Sequence, residues 1–228
     1  MGNSQSDIVD LDTKLKSAIE QNEIIKKTFN NNQHELRGTI NIDSALVSIE
    51  KLIKTHIGNS ANILEVGCGN GYNSRKIADL NCINQLLSSD IQKHEPSYYE
   101  NIQISPAINF IRENWTDNKC NMLLLISPTP DHILLDYGSV KELEKIYKNN
   151  KNSNKNKIFL MILGELGASD GTVGIYHYLN KASMWKNIAE EPFMKYLDIF
   201  GGDCIKAVNF FVLKDKLEDI SEDILENK

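Results

Sequence analysis

Cysteine is scarce in this chain of 228 residues: Cys68, Cys82, Cys120 and Cys204 stand apart, with no C-x-x-C pair and no histidine at zinc-finger spacing. That excludes a disulfide framework and a structural metal site, and it points to free thiols in a reducing, cytoplasmic compartment. No apolar run approaches the roughly 20 residues needed to span a bilayer, so no transmembrane segment is expected. The polar start MGNSQSDIVD carries no secretory signal. Positive charge is also short, since 25 Lys and Arg face 31 Asp and Glu for a net charge of −6. Nucleic-acid binding draws much of its affinity from basic side chains that neutralise phosphates. With no basic stripe interleaved with aromatics, nucleic acid is a disfavoured partner.

What remains is ordinary globular composition, with 41% hydrophobic and 25% charged residues. A chain of this length buries most of its surface without staples. Met1-Gly2-Asn3-Ser4-Gln5-Ser6 fits the N-myristoylation pattern M-G-x-x-x-[ST], which would acylate Gly2; a chance Met-Gly start is the other reading. One acyl chain gives only marginal membrane binding. Asp7, Asp10 and Asp12 mixed with Lys14 and Lys16 add no polybasic patch. Weak membrane association, conditional on Gly2, is the most this segment supports.

Residues 7 to 29 read as a helix, because Ile8, Leu11, Leu15, Ala18, Asn22, Ile25 and Phe29 recur at spacings of three and four. Ser6 or Asp7 could cap it. A dimer helix with Asn22 setting register is one reading. Three short heptads with Ala and Asn in the seam favour a helix lying over its own domain. A second helix is expected from a cap at Asp43 to Ile57, ended by Gly58-Asn59. Strands and helices then alternate, which predicts a mainly parallel sheet. Strands are expected at 62–66, 85–90, 101–104, 121–127 and 157–163, with helices at 73–80, 107–115 and 140–147. KNNKNSNKNK, residues 148–157, reads as an exposed loop. A helical region near 181–191 should precede two strands, 195–200 and 206–213, which flank Gly201-Gly202-Asp203 as a hairpin closing the sheet. The domains expected are a helical extension over 1–40, a main domain over 41–214 and an acidic tail over 215–228.

The informative segment is Glu65-Val66-Gly67-Cys68-Gly69-Asn70-Gly71. A strand runs directly into three glycines at alternate positions, and a helix follows. Gly67 permits a tight turn, Gly69 lets the backbone approach a ligand, and Gly71 lets the helix pack close to the strand. The helix start then offers unpaired N–H groups. Asp90 ends the next strand about 20 residues later, where a carboxylate can accept both hydroxyls of a ribose. A nicotinamide fingerprint is G-x-G-x-x-G, whereas here the spacing is G-x-G-x-G with Glu65 two residues ahead.

E-V-G-C-G-N-G resembles the first motif of the class I S-adenosylmethionine-dependent methyltransferases. The resemblance extends over about residues 40 to 213 in element order. It implies a Rossmann-like α/β fold, a mostly parallel sheet with helices on both faces and a C-terminal antiparallel hairpin. It also implies that S-adenosylmethionine is the cofactor. On that resemblance Gly67, Cys68, Gly69, Asn70 and Gly71 line the methionine and ribose portion. Glu65 orients that loop and the amino-acid end, and Asp90 holds the ribose. Two departures stand out. After the third strand the family often has an acidic residue for the adenine amino group, but here Ile104-Ser105-Pro106 offers only Ser105. Ser127-Pro128-Thr129-Pro130 resembles the [DNS]-P-P-Y loop that holds a planar amino group, but lacks its aromatic residue. Ser127 and Pro128 carry over; Tyr137 or Trp115 would have to supply a stacking surface. A rigid turn at a strand end is the plainer reading of this loop.

Methyl transfer is an in-line displacement in which alignment does most of the work, so a general base is optional. Candidates for proton work at the carboxyl ends of strands four and five are Asp131, His132 and Glu165. The glycine-spaced loop 164–171 reads as the mouth of a substrate site. His94 through Tyr99 could lie near an adenine. The function expected is methyl transfer to a small-molecule or protein acceptor. A catalytically inactive cofactor-binding or scaffold protein is the alternative.

Overall fold

The computed structural model describes residues 4–25, 40–115, 120–128, 132–149, 157–165, 170–182, 184–197 and 203–213. The expectations for Gly2, Thr129, Pro130, Asp131, residues 166–169, most of the 148–157 stretch and the acidic tail lie outside the described residues.

The sequence's alternation becomes one seven-stranded sheet. Helix α1, Ser4–Ile25, is followed by a 3₁₀ turn, Asp43–Ala45, and α2, Leu46–His56. Then come β1 Ala61–Val66, α3 Tyr72–Ala78, β2 Ile83–Asp90, β3 Ile102–Ile104, α4 Ala107–Asn114 and β4 Met122–Ile126. The rest is α5 Tyr137–Asn149, β5 Phe159–Gly164, α6 Ile175–His177, a π turn Tyr178–Ala182, β6 Trp185–Leu197 and β7 Asp203–Leu213. Sheet order is β3-β2-β1-β4-β5-β7-β6. The first five strands are parallel neighbours, and β7 runs antiparallel to both β5 and β6. This is the Rossmann-like sheet with a terminal hairpin that the sequence led one to expect.

Alternate residues of the central strands feed two cores. Leu64, Val66, Leu123, Leu125, Leu160 and Ile162 pack on one face with α1, α4 and α5. Ile63, Met122, Leu124, Met161 and Leu163 pack on the other with α2 and α3. A strand covered on both faces has no polar side, which is why β4 and β5 read as unbroken apolar runs. Leu11 and Leu15 of α1 are buried in the first core, so this helix lies over its own domain.

Three expectations are corrected. The region near 181–191 is helical only as far as the π turn; Trp185–Leu197 is strand β6, which begins ten residues before the strand expected at 195. Asp43 is not a side-chain cap: it is the first residue of the 3₁₀ turn, and Asn41 Oδ1 accepts its N–H at 2.8 Å. Tyr137 and Trp115 offer no stacking surface. Tyr137 is fully buried edge-on against Tyr178, with its hydroxyl donating to Asp12 at 2.8 Å, and Trp115 is buried in the same core.

Candidate functional site

The sheet order reverses between β1 and β4, and open parallel sheets bind ligands at carboxyl strand ends beside such a reversal. The glycine bend leaves β1 there. Gly67, Gly69 and Gly71 have φ of 70°, 60° and 77°, a region that penalises any Cβ. Cys68 N–H donates to the Ser89 carbonyl at 3.1 Å, and Tyr98 N–H to the Asn70 carbonyl at 2.8 Å, so the bend is stitched to β2 and to the segment beyond it. Space is tight as well. A Cβ on Gly71 would lie 2.6 Å from Tyr99 Cβ and 2.7 Å from Ile102 Cδ1, and one on Gly67 would lie 2.8 Å from Leu135 Cδ2. Crowding at Gly71 therefore comes from the chain at 99–102, and not from the helix-on-strand packing that the sequence suggested.

Asp90 ends β2 against this bend. Its Oδ2 accepts Gly69 N–H at 2.8 Å, and its Oδ1 accepts Gln92 N–H at 3.2 Å and faces His94 Nε2 at 3.2 Å. The glycine loop and the acid, far apart in sequence, are thus in direct contact. Glu65 is buried one strand inward, where Ser88 Oγ donates to its Oε2 at 2.7 Å. Burial pushes the Glu65 carboxyl up, against the Ser74 and Ser88 hydroxyls that favour its charge. Burial, reinforced by the charges of Glu65 and Asp90, also pushes the Cys68 thiol up, which disfavours its thiolate. Ser105 N–H donates to the Asp90 carbonyl at 2.9 Å, which sets that residue beside the same strand end. Tyr99 is a packing residue whose hydroxyl donates to the Leu86 carbonyl at 2.6 Å; Tyr98 is exposed and meets Tyr72 edge-on.

Across the reversal, Ser127 follows β4 with φ of 46°, unusual for a non-glycine residue. Its Oγ donates to Asp170 Oδ1 at 2.6 Å, while Lys206 Nζ donates to Asp170 Oδ2 at 2.5 Å and Glu165 N–H to the same oxygen at 3.0 Å. Tyr196 donates its hydroxyl to Glu165 Oε2 at 2.6 Å. Pro128 is buried, and its carbonyl accepts Gly171 N–H. Ser127, Pro128 and Glu165, picked out by sequence, are therefore joined around Asp170, Lys206 and Tyr196, which were missed. Asp170 sat unremarked inside the glycine-spaced loop; Lys206 and Tyr196 carry no local signal. His132 is half-buried in the turn leading to α5. Among the described residues no group of His, Cys, Asp and Glu could hold a metal ion, and no helix is long and apolar enough to cross a membrane.

No protein-family model and no curated protein sequence matches the chain. Solved structures do resemble it in shape. TrmK of M. capricolum, solved with S-adenosylhomocysteine, is 12% identical with a TM-score of 0.41, over 74% of this chain and 70% of its own. A SAM-dependent methyltransferase of Methanosarcina mazei is 10% identical with a TM-score of 0.44, over 72% and 97%. A protein of Pyrococcus horikoshii described as a candidate RNA methyltransferase is 10% identical with a TM-score of 0.48, over 82% and 93%. Likeness at this level concerns the path of the chain and not its chemistry. The sheet order and its hairpin show a Rossmann-like fold, a mostly parallel sheet closed by an antiparallel pair.

Proposed function

We propose that the chain is an S-adenosylmethionine-dependent methyltransferase acting on a small-molecule or protein acceptor. The observation that carries this reading is the contact of the side-chain-free bend at 67–71 with the Asp90 carboxylate, 2.8 Å from Gly69 N–H. Two further features support it. Ile91 and Ile104 are exposed beside Asp90, at the ends of β2 and β3, and offer apolar surface to a purine. A Cβ at Gly67 would run into Leu135 and one at Gly71 into Tyr99 and Ile102, so the bend keeps its side-chain-free backbone beside Asp90.

The residues present fit the cofactor. Gly67, Cys68, Gly69, Asn70 and Gly71 would hold its methionine and ribose portion, Asp90 its ribose, and Ser105 the region of its adenine. Glu65, shut inside the sheet, would act by holding the strand that presents the bend. When bound, the cofactor supplies an electrophilic methyl on a positively charged sulfur. The chain's own part is alignment, which can supply much of the rate enhancement. Ser127, with its proton committed to Asp170, would turn its oxygen to the acceptor and take a hydrogen bond from an N–H or O–H nucleophile. Glu165, steadied by Tyr196, would take up the released proton, with Asp131 and His132 as the other candidates.

Isothermal calorimetry with S-adenosylhomocysteine tests the first half. Wild type should bind, and Asp90→Ala should weaken binding by about tenfold or more, because two charge-assisted hydrogen bonds are lost. Labelled S-adenosylmethionine with fractionated extract tests the second half. If wild type binds but transfers label to no fraction, the chain is a cofactor-binding or scaffold protein instead.

A further inference from the structure

We propose that His94 is an internal competitor for Asp90: it occupies the place on the carboxylate that a ribose hydroxyl takes, and leaves it when a nucleoside binds. The inference rests on the cofactor reading above and adds a moving part to it.

The argument is a count of acceptor positions. A carboxylate offers about four lone-pair directions, two on each oxygen. On Asp90 Oδ2 one is taken by Gly69 N–H at 2.8 Å, and among the described residues nothing takes the other. On Oδ1 both are taken, by Gln92 N–H at 3.2 Å and by His94 Nε2 at 3.2 Å. An ionised carboxylate has only lone pairs to offer, so Nε2 faces it as the donor. A vicinal diol gripped by both oxygens needs one open direction on each. Something on Oδ1 must give way.

Gln92 N–H is backbone, two residues after Asp90, in the local turn that an aspartate makes with its own chain. It cannot leave without refolding the strand end. His94 is a side chain on the following segment and can rotate off. Its side chain is only 7% exposed, and that of Asp90 12%, so the pair is shielded and the exchange is not a trivial surface rearrangement. The same segment is tied back to the bend by Tyr98 N–H on the Asn70 carbonyl at 2.8 Å, which holds its backbone in place while the His94 side chain turns. Among the described residues no charged side chain other than His94 pairs with Asp90, and the adjacent Lys93 is exposed and pairs with Glu95 at 2.7 Å. Binding of the diol therefore costs the His94 contact, and affinity is set by the difference between the two.

The test crosses a side-chain change with a ligand change. Calorimetry would compare wild type, His94→Ala and His94→Gln, each with S-adenosylhomocysteine and with its 2′-deoxy analogue. Removing the competitor should tighten S-adenosylhomocysteine by about ten-fold in His94→Ala, near the low end of what a hydrogen bond to a charged group contributes. The 2′-deoxy analogue needs no second direction on Asp90, so its affinity should hardly move. His94→Gln keeps an N–H donor and should stay near wild type. Thermal unfolding of each variant would confirm that all are folded. His94→Ala that weakens the full ligand, or shifts both ligands alike, would show a supporting or merely structural histidine and overturn the proposal. Absence of heat with both ligands in all three folded proteins would instead remove the cofactor reading, and the inference with it.

Discussion

Glu65 shows how one buried side chain writes a pH dependence into the fold. Its carboxyl is 1% exposed, and burial raises its pKa against the help of the Ser74 and Ser88 hydroxyls. A carboxyl whose folded pKa lies above the unfolded value binds its proton more tightly when folded. Its contribution is thus fully present below the ordinary carboxylate range and is lost as pH rises through the raised value. Glu65→Gln keeps an oxygen for Ser88 and removes the charge that burial opposes. Urea denaturation at pH 5 and pH 8 should show the variant gaining on wild type as pH rises. A difference that is flat or runs the other way would mean that hydrogen bonds, not burial, dominate at this position. The residue was legible in sequence as part of the glycine motif, but its burial was not. Only the parallel pairing of Glu65 with Ser88 sets the acid against β2.

At the scale of elements, the antiparallel strand β7 explains what the sequence concealed. Parallel strands put their carboxyl ends at the site, so residues just after β1, β2, β4 and β5 could be read as candidates. A strand running the other way brings its beginning there. Ala207 pairs with Gly164 at the last residue of β5, and so Lys206 arrives beside Asp170. No spacing rule announces such a residue. Strand β6 was misread for a related reason. It is an edge strand paired only with β7, its alternation is interrupted at Asn187/Ala189 and Pro192/Met194, and Pro192 is tolerated because it lies on an edge. The Asp170–Lys206 pair is shielded, with side chains 8% and 14% exposed. Lys206→Met should leave a buried charge with only hydrogen bonds around it and destabilise by about 3–5 kcal/mol. Adding Asp170→Asn to Lys206→Met should restore most of that loss in guanidinium denaturation. A Lys206→Met variant as stable as wild type would mean that the pair is better solvated than its surroundings suggest.

At the scale of the whole molecule, the sheet was the most legible feature, since its central strands are buried on both faces and advertise themselves as apolar runs. The place of α1 was harder, because its stripe of Leu11, Leu15 and Ala18 suits either a partner helix or the chain's own core. The tertiary contacts favour the second. Leu11 lies against Gly174, and Leu15 lies against Gly138, where a Cβ would come within 3.3 Å of it. Asp12 accepts the Tyr137 hydroxyl, and Lys141 adds an ion pair to Asp12 at 3.4 Å. A helix docked in this way contributes to the stability of a single chain and does so at any protein concentration. Leu11→Ala should therefore cost about 2–5 kcal/mol, the range for emptying a buried leucine site. The loss should be the same at micromolar and at hundredfold higher concentration. A helix that paired two chains would make the unfolding midpoint rise with concentration. A midpoint that is concentration-dependent in wild type, and no longer so in Leu11→Ala, would assign α1 to an interface between copies.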